Sequence, residues 1–597
     1  MTPYRRDFLK FERKRGLRLD FSIMSAKSPS PSSAISPTHA QCSDLLRDLG
    51  HLLELKGENV FKIRAFSKAA DRLHELAPTP AELKERAQAG TLTEWEGIGK
   101  GIAAVLGEYI TTGRSQERET LAASLPEGLL ELTRVPGLGP KKAITIIEEL
   151  EIRTLPELEY ACRENRLLTL KGFGEKAQGK ILEGVRFLQA TSGQKRLDEV
   201  FPLAEALFGV ISSAVNDGRN PLGGVLRVSE AGALRRRMET LEELSFLIEL
   251  PLGDKTQTAL KARMTAAVEE LRASRPDGAF PVRLAFCETR EWGYRLAALT
   301  ASHAHWIALG SPGPEDAADE EQFYRKHGLA FIPAEMRETG EEISLARKPG
   351  NIEKILSWDG VRGIFHNHTT RSDGADSLEA MVRAARERGY QYIGISDHSQ
   401  SAFYAQGLKT DTLLEQEREV RALQEKYPDI RIFWGIESDI LADGALDYDP
   451  KVLKRFDFVI ASVHSRFGMD REAMTERLVT AIRNPATRFI GHLTGRILLG
   501  RKGYDIDYER VLKAAAEHDV AIEINAHPAR LDIDWRHGPE MRRLGVKTSV
   551  NPDAHEISGL DDVRYGVAVA RKALLPGALI VNSWAVERVG EWLGRKI

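Results

Sequence analysis

Between about Thr38 and Gln189, apolar residues recur at helical spacing and are interrupted only by short glycine-bearing turns, so this region is expected to be all-helical. From Gly363 onward the pattern changes. Short β-branched or aromatic runs alternate with amphipathic helical stretches, which predicts repeated βα units around a parallel sheet. Ahead of both lie a basic start, MTPYRRDFLKFERKRGLRLDF, and a tract SAKSPSPSSAISP with too little apolar content to order itself. Residues 1–37 are therefore expected to be a disordered extension.

The C-terminal apolar runs are VRGIFHNH, YQYIGISDH, RIFWGIESD, FDFVIASVH, RFIGH, VAIEINAH and VKTSVNPDAH, and each ends in a histidine, an acid or both. In a βα barrel the C-terminal strand ends meet on one rim, where active sites form. Core histidines would not follow strand ends in this way. In the first run His366 and His368 stand at i and i+2, positions that project to one face of an extended strand end. The candidate ligands are His366, His368, Asp373, His398, Glu437, His464, His492, Asp553 and His555. Imidazole and carboxylate without thiolate suit Zn2+, Mn2+ or Fe2+, and this set is too large for one tetrahedral ion, so a multinuclear cluster is expected. Arg371, Arg496, Arg501 and His527 lie near these positions in sequence and are candidates for holding non-reacting phosphates.

The helical region has its own repeat: GIGKG at Gly97–Gly101, GLGPKKA at Gly137–Ala143 and GFGEKA at Gly172–Ala177, spaced 40 and 35 residues apart. Glycines turn the chain sharply into a helix N-terminus and leave backbone N–H groups for a phosphate oxygen. With Lys141, Lys142 and Lys176 alongside, Gly97, Gly99, Gly101, Gly137, Gly139, Gly172 and Gly174 predict grip on a nucleic-acid backbone without base readout.

Composition narrows this only slightly. At 597 residues the chain needs several domains at roughly 150 residues each, and a formal net charge of -3 leaves room for local basic surfaces. Cys42, Cys162 and Cys287 are far apart and without CxxC spacing, which fits a reducing cytoplasm better than a disulfide frame. No run of about 18 apolar residues exists, so no membrane partner is expected.

The glycine turns resemble helix-hairpin-helix motifs, and VFKIRAFSKAADRL (Val60–Leu73) is similar to the N-terminal domain of family X DNA polymerases. AGALRRRMETLEELSFLIEL (Ala231–Leu250) and FYRKHGLAFIPAEMRE (Phe323–Glu338) resemble that family's palm and thumb. The C-terminal ligand pattern resembles the polymerase-and-histidinol-phosphatase (PHP) domain. These resemblances imply an all-α helix-hairpin-helix region (38–110 with the first hairpin, 111–195 with two more) and an α+β nucleotidyltransferase-like palm and thumb (196–346). A linker (347–362) and a distorted (β/α)7 barrel of PHP type (363–597) follow.

Carried over residue by residue, the PHP resemblance implies three ions: one on His366, His368, Glu437 and Asp553, a second on Glu437, His464 and His492, a third on Asp373, His398 and His555. Of these, His366, His368, Glu437, His464 and Asp553 are the catalytic candidates. In the polymerase part the resemblance implies losses. Val105 stands where a Schiff-base lysine for deoxyribose-phosphate removal would be, with Lys100 nearby. Glu243, Ser245 and Arg283 stand at the palm's three carboxylate positions, and Gly232-Ala233 at its Gly-Ser pair. That argues against a Mg2+ site there, with Glu239, Glu242, Glu243 or Glu249 left as weak substitutes. The leading expectation is a DNA-repair enzyme, a manganese-dependent (or Zn2+/Fe2+-dependent) 3'-to-5' exonuclease acting as a monomer on gapped or 3'-ended DNA without sequence preference. A gap-filling polymerase of base excision repair and a histidinol-phosphate-like phosphatase are the alternatives.

Overall fold

The computed structural model describes residues 37–594 except 77, 164–165, 192, 216–225, 251–253, 276 and 403–404. The expected disordered extension thus falls almost wholly outside the described residues. Two compact units are present, one ending at Gly193 and the other beginning at Gln194.

The first unit is helical. Helix α1 (His39–Leu55) starts in a capping box, in which the Thr38 hydroxyl accepts from Gln41 N and the Thr38 N–H donates to the Gln41 side chain. It packs on α2 (Val60–Leu76) through Leu45, Leu46, Leu49, Leu52 and Leu53 against Phe66, Ala69, Ala70 and Leu73. Both sets repeat at three and four residues, so each forms one buried stripe. The first hairpin adds α3 (Lys100–Thr112), whose Ile102, Val105, Leu106 and Ile110 complete that core. The second and third hairpins lead into α4 (Pro140–Leu150) and α5 (Glu175–Thr191), which share a separate core of Ile146, Ile147, Leu158, Phe173, Ile181 and Val185.

The second unit opens with α6 (Leu197–Val215) and a three-stranded sheet in the order β1 (Val228–Ala231), β2 (Leu244–Leu250), β3 (Val282–Glu288). β1 is antiparallel to β2, and β3 is parallel to it. Phe246, Ile248 and Leu250 pack with Leu203, Leu207 and Ile211 of α6 and with Met264 of α7 (Asp254–Ala273). The alternate residue Leu247 joins Ala231, Cys287, Trp292 and Leu296 on the other face. Beyond this sheet a buried polar network fixes the thumb-like segment. His305 bonds Glu342 (2.7 Å) and Tyr324 (2.9 Å), while fully buried Arg337 and partly buried Arg235 converge on Glu320 at 2.5 Å each.

Within residues 347–362, expected to be a linker, three apolar residues are anchored in the core while most of the others stay exposed. Ile352, Ile355 and Leu356 are buried, Leu356 N donates to Leu575 O (3.0 Å), and Ile355 bridges to Pro576. Apolar residues spaced among charged ones hide this in the sequence.

The barrel strands are β4 (Gly363–Ile364), β5 (Tyr392–Ile395), β6 (Arg431–Asp439), β7 (Phe458–Ser462), β8 (Thr487–Ile490), β9 (Ala521–Asn525) and β10 (Thr548–Asn551). They pair in chain order, and every pairing is parallel. Among the described residues β4 and β10 do not pair directly, although a parallel bridge joins Asn367 to Ala554 just beyond them; buried Asn582 fills the seam, bonding Gly363 O (3.0 Å), Val550 O (3.0 Å) and Val550 N (2.7 Å). Inside the barrel below the strand ends sits an aromatic layer. Phe365 lies 5.1 Å from Phe458 and 4.9 Å from Phe489, and Phe489 meets Trp592 of the last helix, α8 (Val586–Gly594), at 5.3 Å. Gly394 and Gly435 make room for it, since a Cβ at either would stand 2.4 Å from Phe365 or Phe458.

Candidate functional site

Strand alternation brings Glu437, His464 and Asp553 inward above the aromatic layer, but alternation alone would turn His366 away, because Phe365 already faces in. The backbone changes sense there. His366 (φ 57°), His492 (φ 24°) and Asp553 (φ 54°) all have positive φ, a conformation uncommon for side-chain-bearing residues and often found at functional sites.

Glu437 is the centre of the arrangement. Its Oε1 lies 3.1 Å from His366 Nε2, 3.3 Å from His464 Nε2 and 3.1 Å from His492 Nε2, and its Oε2 lies 2.9 Å from His398 Nδ1. Asp553 Oδ1 stands 3.3 Å from His366 Nε2 and 3.2 Å from His368 Nε2. Asp373 Oδ2 stands 3.4 Å from His398 Nε2 and 3.5 Å from His555 Nε2. The nine candidate ligands are therefore gathered at one mouth. Their donor atoms form three groups: His366 with His368 and Asp553; His398 with Glu437 and His464; and His368 with Asp373, His398 and His555.

This differs from the expected partition. His398 joins Glu437 and His464 as well as Asp373, because its two ring nitrogens face opposite ways, and His492 reaches Glu437 and His464 (3.2 Å) without completing a group.

The donor set fits divalent ions. Ligands at about 2.1 Å around a tetrahedral ion stand about 3.4 Å from one another, which is the spacing seen here. Moreover, His366 Nε2 and both ring nitrogens of His368 are buried near carboxylate oxygens in orientations that make no hydrogen bond, an arrangement suited to a cation between them. Burial pushes the Glu437 carboxyl up, but His366, His464 and His398 outweigh it and hold it well below the usual range. Asp553 is held down in the same way by His366, His368 and His555. Burial and the neighbouring His555 and His398 push His368 down to about 3, leaving a neutral imidazole with a lone pair to offer.

Behind the candidate ligands lies a layer of carboxylates, Asp397 and Asp439 from the strand-end runs and Glu523 from within a strand. Glu523 is fully buried and accepts from His366 Nδ1 (2.6 Å), His492 N (2.7 Å), Asn551 Nδ2 (2.9 Å) and Asn525 Nδ2 (3.2 Å). Asp439 bonds His464 Nδ1 at 2.6 Å. Asp397 takes Thr369 N, the Thr369 and Ser372 hydroxyls and Gln416 Nε2, tying down the turn that carries Asp373. Partners of this kind fix the tautomer and aim of a metal-binding imidazole. An acid flanked by apolar residues within a strand, as in AIEIN, was the available signal.

The phosphate candidates are mostly committed elsewhere. Arg371 bonds Glu419 (2.6 Å) and Glu415 (3.4 Å). Arg496 holds Asp534 (2.5 Å) and the carbonyls of Arg530 and Leu531, and Arg501 bonds Gly495 O while lying over Phe467. His527 uses Nδ1 to accept from Ala529 N. Arg530, not singled out by the sequence, is the cation at the mouth, with Nε 3.7 Å from Asp553 Oδ2.

In the helical unit the three hairpins repeat one geometry. Gly97, Gly137 and Gly172 have φ of 86°, 84° and 89°, and the next residue, Ile98, Leu138 or Phe173, is buried with its N–H bonded two residues back from the glycine. Gly99 and Gly139 then cap α3 and α4 without a side-chain bond, which leaves first-turn N–H groups open. A Cβ on any of Gly97, Gly99, Gly101, Gly137, Gly139, Gly172 or Gly174 would meet nothing within 4 Å, so these turns face open space. Lys142 Nζ sits 5.4 Å from the Phe173 ring, which brings the second hairpin's charge to the third turn. Val105 is a buried core residue, while Lys100 begins α3 at the surface.

The palm positions do meet, as an ion pair. Ser245 pairs with Arg283 across β2 and β3, Ser245 Oγ donates to Glu243 Oε1 (3.0 Å), and Arg283 lies 3.8 Å from the same carboxylate. The substitute acids are dispersed. Glu239 receives Trp535 Nε1 and Arg536 Nη1 (both 3.0 Å), Glu249 is held by Arg227 (3.0 Å), and Glu242 meets Gln194 (3.4 Å). Among the described residues no metal-binding group forms in this sheet.

Taken together, the parallel barrel with its histidine-rich mouth and the glycine-turn helices define a phosphoester-hydrolase barrel joined to a helix-hairpin-helix unit. The PHP domain family matches residues 365–527, a helix-hairpin-helix domain residues 38–115, and a SAM-like helix-hairpin-helix tandem residues 129–186. The chain is 34% identical to the DNA polymerase/3'-5' exonuclease PolX of Bacillus subtilis over 92% of its own length and 98% of that protein's. It belongs to that PolX family, the PHP-bearing family X DNA polymerases. A protein of Caldanaerobacter subterraneus described as a probable phosphatase is 30% identical over 40% of this chain and 93% of its own. The histidinol phosphate phosphatase of Lactococcus lactis, solved with zinc, L-histidinol and phosphate, matches 35% of this chain and 93% of its own at 21% identity and a TM-score of 0.29.

Proposed function

We propose that this chain is a metal-dependent phosphoester hydrolase that shortens DNA from its 3' end. The hairpins of residues 38–195 grip the DNA backbone, the sheet of 196–346 supports it without synthesis, and the barrel of 363–597 cuts. The observation that carries this reading is the gathering of six imidazoles and three carboxylates at one mouth, with buried ring nitrogens turned toward acids. Divalent ions held there, Mn2+, Zn2+ or Fe2+ and about three in number, supply a nucleophile from water near neutral pH and neutralise charge on the phosphoryl oxygens.

The chain's own part is positional. Glu437 spans two groups of imidazoles, Glu523 and Asp439 hold His366 and His464 with Nε2 toward the mouth, and Arg530 offers a cation beside Asp553 to a non-reacting phosphate oxygen. No protein nucleophile is needed. Gapped or recessed DNA is the substrate, the enzyme works as a monomer in the cytoplasm, and repair is its setting. The PolX relative's name includes polymerase, but here the Arg283 cation sits where a metal would be held, which repels one. A small-molecule phosphatase would have no use for three hairpins.

The test is a labelled gapped duplex incubated with Mn2+, with and without deoxynucleotides. Shortening in both samples is expected. Lengthening with deoxynucleotides, and no shortening without them, would reverse the assignment.

A further inference from the structure

Away from the barrel mouth, a cavity of about 860 Å3 lies among α6, β1 and the segment Phe331–Glu335, with Trp358 and Arg571 on its wall. None of the nine candidate ligands lines it, and neither do Glu243, Ser245 or Arg283. Four aromatic side chains are among the large apolar residues left exposed in the described chain, and three of them line this one concavity: Phe208 (38% exposed), Phe331 (37%) and Trp358 (46%). Single exposed aromatics need no explanation, but three converging on a cavity do.

The charges there indicate what it holds. Arg237 is neutralised by Glu230, Arg571 by Glu335 and Arg235 by Glu320, each at 2.5 Å, and Glu205 would repel a phosphate. The guanidinium planes nevertheless lie against rings, Arg237 at 5.2 Å from Phe201 and Arg571 at 5.5 Å from Trp358, and five N–H groups each leave donors to spare. Aromatic faces, spare donors and a free carboxylate acceptor at little net charge complement an uncharged planar ring with donors and acceptors on its edge.

We propose that this cavity binds an unpaired base of single-stranded DNA by stacking, with residues that belong neither to the hydrolytic mouth nor to the hairpins. The proposal rests on the reading that the chain acts on DNA, but its test needs no catalysis. Full-length protein in EDTA is titrated with short fluorescein-labelled oligo(dT), with the same backbone carrying abasic sugars, and with blunt duplex. Oligo(dT) is expected to bind about fivefold or more tightly than the abasic strand, the low end for one stacked base. Phe208→Ser with Phe331→Ser should erase that difference while leaving duplex affinity and the salt slope for oligo(dT) unchanged, because no phosphate-binding group is removed. Trp358→Phe, which keeps a ring, should retain the preference.

Equal binding of oligo(dT) and abasic strands by the unaltered protein overturns the proposal. So does a double variant that folds and keeps the preference. Failure of the nuclease assay alone would sink the hydrolase reading and leave this result standing.

Discussion

Glu523→Gln tests whether the layer behind the ligands governs the site. All four groups around this carboxylate donate: His366 Nδ1 and Asn551 Nδ2 to Oε1, His492 N and Asn525 Nδ2 to Oε2. A glutamine of the same shape keeps one acceptor oxygen and turns an NH2 group toward the other two donors, whichever way it is placed. Two buried donors lose their acceptor, at about 1–3 kcal/mol each. One escape is for His366 to keep its proton on Nε2 alone, which leaves Nδ1 to accept from the glutamine and blocks the nitrogen that an ion would take. Either route weakens ion binding, and loss of such a supporting partner typically costs about 10- to 100-fold in metal affinity. Competition against a chromophoric chelator would measure the affinity, and a thermal melt of metal-free protein the stability. A variant that binds Mn2+ and Zn2+ as tightly as the parent would show that Glu523 does not set the aim of His366.

His366→Ala with His368→Ala should abolish shortening of labelled duplex while DNA affinity in EDTA stays unchanged; degradation at the parental rate would move the nuclease out of the barrel. Lys141→Glu with Lys142→Glu should weaken duplex binding and flatten its dependence on salt by about one unit for each phosphate no longer neutralised, and an unaltered slope would exclude the second hairpin as a backbone grip. Acid should loosen the thumb-like segment. Burial pushes the Glu320 carboxyl up, but Arg337 and Arg235 outweigh it and hold it at about 2. Its folded value lies below the unfolded one, so the stabilisation is complete above about pH 4.5 and lost as pH falls toward 2, about 3 kcal/mol in all. Glu320→Gln should remove that part of the acid dependence in thermal melts, and a variant melting with the parent's pH profile would contradict the pairing.

The sequence made the barrel and the meeting of its histidines and acids legible for a physical reason. Alternating runs that end in histidines or acids mark both the strands and the rim on which they meet. The grouping of the donor atoms was hidden, because it turns on backbone sense at His366, His492 and Asp553 and on the two-sided ring of His398, neither of which spacing encodes. Glu523 escaped notice because a buried acid inside a strand reads as an exposed alternate position, and Asp439, which ends the RIFWGIESD run, because Glu437 already stands as that run's candidate ligand. Arg371, Arg496 and Arg501 look like phosphate ligands only until their partners, distant in sequence, are brought beside them. Ile352, Ile355 and Leu356 show the same limit at the supposed linker, where too few apolar residues announce a packed segment.

The rings of Phe365, Phe458 and Phe489, backed by Trp592 from the last helix, make the chamber a cul-de-sac. On the proposed reading, a DNA terminus would enter and a released nucleotide would depart on the one side of the barrel that this layer leaves open. Traffic in the two directions would then alternate, and after each cut the strand would have to back off far enough for the freed mononucleotide to slip past before advancing again.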